Sequence, residues 1–335
     1  MKAYEITATG IDGLKVAERP MPKPGHGEVL MRVRATSLNY RDLATAKGMA
    51  PRGIKLPRIP LSDGAGDVAE IGPGVTRVKP GDRVAAIFMQ TWIAGPPRDA
   101  YGRSALGGAI DGMLAEYVVL HENGLVHIPD YMNYAEAASL PCAAVTSWNA
   151  LATGEGRLRS GQTVLVMGTG GVSIFALQFA RIHGARVIAT SSSDAKLKRL
   201  AAMGASDLIN YKTTPTWDKR VLELTGGEGV DHVVEIGGAG TLAKSLSAVR
   251  TGGQVSLIGI LGGAGEVNPM PVLFKSVCLK GIFVGSREMF EDMNRAMAVN
   301  DVHPVIDRTF SFEETREAYR YLESGAHFGK VCMSV

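Results

Sequence analysis

The 335-residue sequence corresponds to about two domains at the usual ~150 residues each. Its 45% apolar and 21% charged residues suit a globular chain and exclude a disordered one. With 36 Lys and Arg against 33 Asp and Glu, a net charge of +3 and no basic run, the sequence implies no nucleic-acid partner. No apolar run approaches the ~18 residues of a membrane span, so no membrane association is expected. The opening Met1-Lys2-Ala3-Tyr4-Glu5-Ile6 reads as a strand without the apolar stretch of a secretion signal, and the expected location is cytoplasmic. Cys142, Cys278 and Cys332 are odd in number and far apart, which argues against a disulfide framework or a four-cysteine zinc knuckle.

Residues 1–125 read as β-rich. Glu28–Arg34 alternates polar and apolar residues, and Arg83–Phe88 and Ala115–Leu120 are further strands. Gly72-Pro73-Gly74 and Lys79-Pro80-Gly81-Asp82 are turn chemistry. Residues 90–110 lack periodicity and read as a long surface loop. Over 126–285, short β-branched runs alternate with helical stretches: strands at Thr163–Met167, Arg186–Thr190, Asp207–Asn210, Val230–Glu235, Gln254–Ile260 and Leu279–Val284. The intervening helices are expected at about Val172–His183, up to Met203, Trp217–Leu224 and Thr241–Val249. Strands spaced by amphipathic helices specify a parallel sheet covered on both faces, the doubly wound dinucleotide-type α/β fold. Residues 286–335 hold helices at about Arg287–Val299 and Glu313–Ser324 and a strand near Lys330–Met333, too little for a core of their own. They are expected to pack back on the first part.

Gly168-Thr169-Gly170-Gly171-Val172-Ser173 follows a strand and opens a helix, the setting that a dinucleotide fingerprint requires. Gly168 permits a tight turn, Gly170 permits backbone approach to a pyrophosphate, and the helix start offers unpaired N–H groups. Ser173 replaces the third glycine. The same residues would also make a plain strand-to-helix turn. The second strand ends in Thr190-Ser191-Ser192-Ser193, with no carboxylate before Asp194 to hold a ribose 2′-hydroxyl. Hydroxyls followed by Lys196 suit a 2′-phosphate, so NADP is favoured over NAD. The plainer alternative makes Ser193 or Asp194 a helix cap and Lys196, Lys198 and Arg199 a solvated face. Tyr211, after the third strand, is placed to cover an adenine or is simply a strand-end aromatic.

The sequence resembles the medium-chain dehydrogenase/reductase superfamily. The likeness runs through Gly27–Leu30, Ala35–Asp42, Asp63–Asp67, Gly72–Val84, Leu140–Thr146, the glycine turn and Phe328-Gly329-Lys330. It implies a GroES-like catalytic domain made from both chain ends, with the Rossmann domain inserted and the active site in the cleft between them. Zinc alcohol dehydrogenases of that superfamily hold the metal with Cys, a His-Glu pair and a third Cys or His. Here those positions read Asn39, Ser62-Asp63 and Cys142, and residues 88–112 contain none of the cysteines of a structural zinc lobe. One soft ligand is too few for Zn²⁺, so no zinc is expected and Cys142 reads as an inert buried thiol. The sequence then looks like the zinc-independent branch, the NADPH:quinone oxidoreductases and enoyl- or alkenal-reducing relatives. By that resemblance Lys196 contacts the 2′-phosphate, Tyr211 the adenine side and Thr146 the nicotinamide. Gly168, Gly170, Gly171, Val172, Ser191 and Ser192 complete the cradle, and Gly237, Gly259 and Ile260 sit beside the cofactor.

Asn39-Tyr40-Arg41-Asp42 is the candidate for chemistry at the reacting carbon: Tyr40 as proton donor, Arg41 as stabiliser of an enolate or phosphate, Asn39 as positioner. The alternative is structural, with Asp42 capping a helix, Arg41 paired to it and Tyr40 packed. Phe88, Trp92 and Tyr101 either line a substrate pocket or staple the loop. The leading expectation is a metal-free NADPH-dependent oxidoreductase transferring hydride to a quinone or an α,β-unsaturated carbonyl. A metal-free alcohol dehydrogenase acting on C–O bonds and a non-catalytic NADPH-binding protein are the rivals. The substrate is expected to be a small molecule. The last strand of the Rossmann sheet, Leu279–Gly285, is expected to pair with its copy in a homodimer.

Overall fold

The computed structural model describes residues 1–49, 54–259, 261–263 and 265–335. The chain forms two compact units, Met1–Val145 with Val284–Val335, and Thr146–Phe283. The C-terminal fifty residues therefore return to the first unit, as their small size requires. The inner unit starts at Thr146 rather than at the expected residue 126. Residues 126–145 stay with the first unit because Leu125–His127 pairs with Arg83–Ala86 and helix Tyr134–Ala138 packs on strands Glu28–Leu38 and Asp63–Ile71.

The first unit is built on the long strand Glu28–Leu38. On one side it pairs antiparallel with Asp63–Ile71 along its length. On the other side its beginning pairs with Tyr117–His121 and its end with Lys330–Ser334, both antiparallel. One strand thus joins segments almost 300 residues apart. Its inward side chains Val29, Met31, Val33 and Leu38 are buried with Ile6, Leu61, Phe310, Tyr319 and Met333 in one core. Helix Arg287–Val299 buries Phe290, Met293 and Met297, the 3–4 spacing of a single face. Full burial of a side chain such as Phe290 stabilises by roughly 1.5–3 kcal/mol. The 90–110 stretch is less superficial than its composition suggests. It contains a 3-10 helix, Asp99–Ser104, and Phe88, Trp92 and Leu106 on either side are buried.

The inner unit is a six-stranded parallel sheet with its strands, in spatial order, Asp207–Asn210, Arg186–Ser191, Thr163–Met167, Val230–Glu235, Val249–Leu257 and Cys278–Gly281. This 3-2-1-4-5-6 order is the doubly wound Rossmann arrangement, with its switch point between the first and fourth strands. The β-branched runs are buried on both faces: Val164, Leu165, Val166, Val187, Ile188, Val233 and Val234 are all inaccessible. Helix Gly171–Ile182 covers the sheet with Ile174, Phe175, Leu177 and Phe179. Gly204, at φ +92°, ends helix Asp194–Ala202. Among the described residues, no helix is long and apolar enough to cross a membrane.

The long strand's ladder is irregular beside Gly66, where a Cβ would stand 1.9 Å from the carbonyl oxygen of Arg32. Gly66→Ala should therefore push the two strands apart and cost about 1–3 kcal/mol. Urea unfolding reads this as a lowered midpoint; an unchanged midpoint would contradict the packing described.

Candidate functional site

In the inner unit, the switch point is occupied by the expected glycine turn. Gly168 has φ +75°, a conformation that favours glycine, and its N–H donates to the Thr190 carbonyl. Gly170 precedes helix Gly171–Ile182, which has neither a side-chain cap nor an acidic residue in its first turn. A Cβ on Gly170 would meet nothing within 4 Å, so the turn opens onto free space with the helix N–H groups behind it. Ser173 does what its small size promised: it is fully buried and donates to the Met167 carbonyl at 2.6 Å. These features fit an anionic diphosphate.

The second-strand tip is adjacent. Ser193 is the cap of helix Asp194–Ala202, accepting the Lys196 N–H. Asp194, the sole nearby carboxylate in sequence, lies in that helix's first turn and is held by the Asn210 amide at 2.7 Å. Tyr211 is exposed, and its N–H donates to the Ser191 carbonyl, so the tyrosine and the serine tip lie side by side. Lys196 is half-buried on the same helix. The strand tip carries the Ser191, Ser192 and Ser193 hydroxyls, and Lys196 lies on the helix that follows. Gly237 and Gly259 stand after the fourth and fifth strands. A Cβ on Gly259 would lie 1.9 Å from the Ile236 carbonyl oxygen, so this turn admits no side chain. Thr146 is buried at the start of the inner unit. Ile260 lies outside the described residues.

In the first unit, the structure brings together the positions that the resemblance compares with zinc ligands, but around a cation from the chain itself. Lys330, with a side chain 3% exposed, donates to the Leu38 carbonyl at 2.7 Å and to Asn39 Oδ1 at 2.6 Å, and stands 3.9 Å from Asp63 Oδ2. Asp63 is fully buried; it accepts Ser62 Oγ at 2.8 Å and the Cys142 N–H at 3.3 Å. Burial pushes its carboxyl up to about 6, although Lys330 and Asn39 pull the other way. Cys142 sits on a π-helical turn, Leu140–Ala144. Burial, and then the Asp63 charge, push its thiol far above the usual range, away from the thiolate a metal binds. Asn39 Oδ1 and Asp63 are thus engaged with Lys330, and Cys142 is held as the thiol. This donor set does not fit a tetrahedral zinc. Among the described residues, no three His, Cys, Asp or Glu side chains cluster closely enough to hold a metal ion.

Helix Tyr40–Ala46 starts at this cluster. Asn39 is the cap residue, and Asp42 closes the turn by accepting the Asn39 N–H at 2.9 Å. Arg41 pairs with Asp42 at 3.0 Å, donates to the Leu106 carbonyl at 2.8 Å and lies over the Phe88 ring. Its guanidinium is thus held within the first unit. Tyr40 is 43% exposed rather than packed in the core. Phe88 and Trp92 are core residues rather than accessible pocket walls, with Trp92 stacked on Tyr101 at 5.9 Å. Sequence reasoning missed Lys330 as a participant. The signal was a lone charge leading the apolar Val331-Cys332-Met333.

Residues 25–130 match the family model for the alcohol dehydrogenase GroES-like domain, and residues 171–299 match that for the zinc-binding dehydrogenase. A zinc-type alcohol dehydrogenase-like protein of Schizosaccharomyces pombe is 44% identical over 98% of this chain and 96% of its own length. An acryloyl-coenzyme A reductase of Metallosphaera sedula is 30% identical, over 96% of each chain. Among solved structures, an NAD-dependent alcohol dehydrogenase superposes with TM-score 0.91 at 35% identity, with both chains fully covered. A mycobacterial protein complexed with NADPH superposes with TM-score 0.83 at 28% identity, again with full coverage of both.

Asp63 gives the cluster a pH signature. Its carboxyl is raised from 3.8 to about 6 on folding. Its contribution to stability is thus full below pH 3.8 and is lost as the pH rises through 6. Asp63→Asn removes this loss. The unfolding free energy of the variant should gain on that of the wild type by about 2–3 kcal/mol between pH 4 and pH 7. Urea titrations at the two pH values measure the difference, and a pH-independent gap would count against the buried carboxyl.

Proposed function

The chain belongs to the medium-chain dehydrogenase/reductase family, and on that premise we propose that it is a zinc-independent, NADPH-dependent reductase of α,β-unsaturated carbonyls or quinones. The observation that carries this reading is the Lys330 ammonium set among Asn39, Asp63 and Cys142. A buried cation already satisfies the acceptors that a metal would need. Without a Lewis acid on the acceptor oxygen, an acceptor whose own conjugation spreads the developing charge is favoured. The acryloyl-coenzyme A reductase relative acts, by its name, on such a conjugated carbonyl.

When bound, the reduced nicotinamide supplies the hydride. The helix N-terminus behind Gly168, Gly170, Gly171 and Val172 holds the pyrophosphate. Ser191, Ser192 and Lys196 hold the 2′-phosphate, with Tyr211 against the adenine. Gly237 and Gly259 leave room for the nicotinamide half, with Thr146 beside it. The NADPH-complexed neighbour supports this choice of cofactor, while the NAD-dependent neighbour makes it worth testing. In the first unit, the Tyr40 hydroxyl is the group suited to give a proton to the product. Asn39 positions its helix start, and Arg41 lends positive charge nearby. The alcohol dehydrogenase reading of C–O chemistry would need Tyr40 to act as the acid at a carbonyl oxygen.

The edge strand Cys278–Gly281, with Leu279 and the neighbouring Leu273, Phe274 and Phe283 exposed, is proposed as the face of a homodimer. Gel filtration at monomer size would overturn that.

The test of function is one reaction: purified protein, NADPH and a medium-chain 2-alkenal, with product identity read by mass spectrometry beside an NADH control. A saturated aldehyde is expected; an allylic alcohol would move the assignment to C–O chemistry. Lys196→Ala should raise the KM for NADPH by roughly 10- to 100-fold, the loss of a charge-assisted phosphate contact. Its KM for NADH should change little. An equal change for both cofactors would remove Lys196 from the 2′-phosphate site.

A further inference from the structure

Glu235, the last residue of the fourth Rossmann strand, is fully buried. Its Oε1 accepts the Gly237 N–H at 2.6 Å, the Gly238 N–H at 3.1 Å and the Thr241 hydroxyl at 2.6 Å. Its Oε2 accepts the Ser245 hydroxyl. Four donors converge on one carboxylate, an acceptor-only group that matches them. The backbone of the same residue serves the neighbouring turn, its carbonyl accepting the Ile258 and Gly259 N–H groups at 2.9 and 3.2 Å. Further along, the Gly262 N–H donates to the Gly237 carbonyl at 2.7 Å. The network also reaches the phosphate turn. Ser245 lies 3.7 Å from Met167 Sδ, the residue before Gly168, and a Cβ on Gly168 would be 3.4 Å from Ile236 Cδ1.

We propose that Glu235 is a positioning residue that locks the 237–238 and 258–259 glycine turns into one rigid wall for the nicotinamide half of the cofactor. The inference rests on the proposed reading of the inner unit as an NADPH site. Its physical basis is steric as well as polar. The wall works only without side chains: a Cβ on Gly237 would meet Thr241 Oγ1 at 2.2 Å, and one on Gly259 the Ile236 carbonyl at 1.9 Å. Glycine backbone is also the most costly to order. A chain that uses bare glycine as a wall therefore needs something else to hold it, and the buried carboxylate does so through four hydrogen bonds. Glu235 is buried, with its side chain bonded to Gly237, Gly238, Thr241 and Ser245, and so acts through the turns.

The experiment uses the full chain. Glu235→Gln keeps the shape but turns an NH₂ toward groups that are themselves donors. Thr241→Val removes one of the four bonds and leaves the carboxylate in place. NADPH dissociation constants are measured by nucleotide fluorescence, and amide hydrogen exchange is followed at Gly237, Gly238 and Gly259 in the nucleotide-free protein. We expect exchange at these amides to speed up at least tenfold in E235Q, the NADPH Kd to rise at least tenfold, and both to move less, in the same direction, in T241V. Binding of 2′,5′-ADP, which carries the phosphates without a nicotinamide, should stay within about twofold of wild type. A merely structural role would weaken both nucleotides together, and that result overturns the proposal. So does unchanged exchange in folded E235Q. If E235Q does not fold, an unchanged Kd and exchange in T241V overturns it. Wild-type protein that binds 2′,5′-ADP but not NADPH also overturns it. Failure to bind either nucleotide would overturn the proposed function itself, and the cofactor role of Glu235 with it.

Discussion

A lysine ammonium almost sealed from water must be surrounded by acceptors, and the first unit is arranged to give them to Lys330. The closing strand Lys330–Ser334 runs antiparallel to the end of Glu28–Leu38, with Val331 opposite Leu38. That register sets position 330 beside the residues where the long strand becomes a helix. The ammonium then meets a backbone carbonyl, the Asn39 amide and the Asp63 carboxylate at once. Each constraint depends on another. The pairing of the chain ends delivers the charge, the charge fixes Asn39, and Asn39 sets where helix Tyr40–Ala46 begins. Removing one member of such a buried set leaves the others unpaired, at about 3–5 kcal/mol for a buried pair. The chain ends are therefore part of the site's foundation and not merely its perimeter.

The inner unit answers a similar problem with the opposite charge. There the buried group is a carboxylate, and its partners are neutral N–H and O–H donors from one short stretch, residues 237–245. Local partners serve to shape a turn, whereas distant partners serve to join segments. The two buried charges thus do different work: Lys330 joins residues some 290 apart, and Glu235 shapes backbone within ten.

The same distinction explains what could be read from the sequence. Thr163–Met167 and Arg287–Val299 were legible because a β-branched run and a 3–4 apolar spacing are local signals. The glycine turn was legible for the same reason. The start of the inner unit was not. A strand and a short helix over 126–145 look alike whichever sheet they join, and only the pairing of Leu125–His127 with Arg83–Ala86 decides it. The 90–110 stretch misled because composition reports turns and not burial; of the two roles open to the aromatics in and beside it, Phe88 and Trp92 take the buried one. Tyr40 could be read either way, since exposure of one residue at a helix start has no periodicity. Lys330 was visible as a lone charge before an apolar strand, but its partners were 291 and 292 residues away.

On the proposed reading, the fixed ammonium also limits the chemistry. A bound zinc offers an open coordination position to a substrate oxygen. Lys330 offers none of that kind: two of its donors are committed to Leu38 and Asn39, and its charge faces Asp63. It acts only by holding what surrounds it. Of the four residues from Asn39 to Asp42, Asn39 is tied to Lys330, and Arg41 and Asp42 are tied to one another. The Tyr40 hydroxyl is the group left for an incoming substrate. A phenol is a weaker proton donor than a metal is an electrophile. It serves a carbanion or enolate that already carries full negative charge better than a carbonyl oxygen that must be activated before hydride arrives. That difference in timing is the physical argument for proposing a conjugated acceptor over a simple ketone or aldehyde.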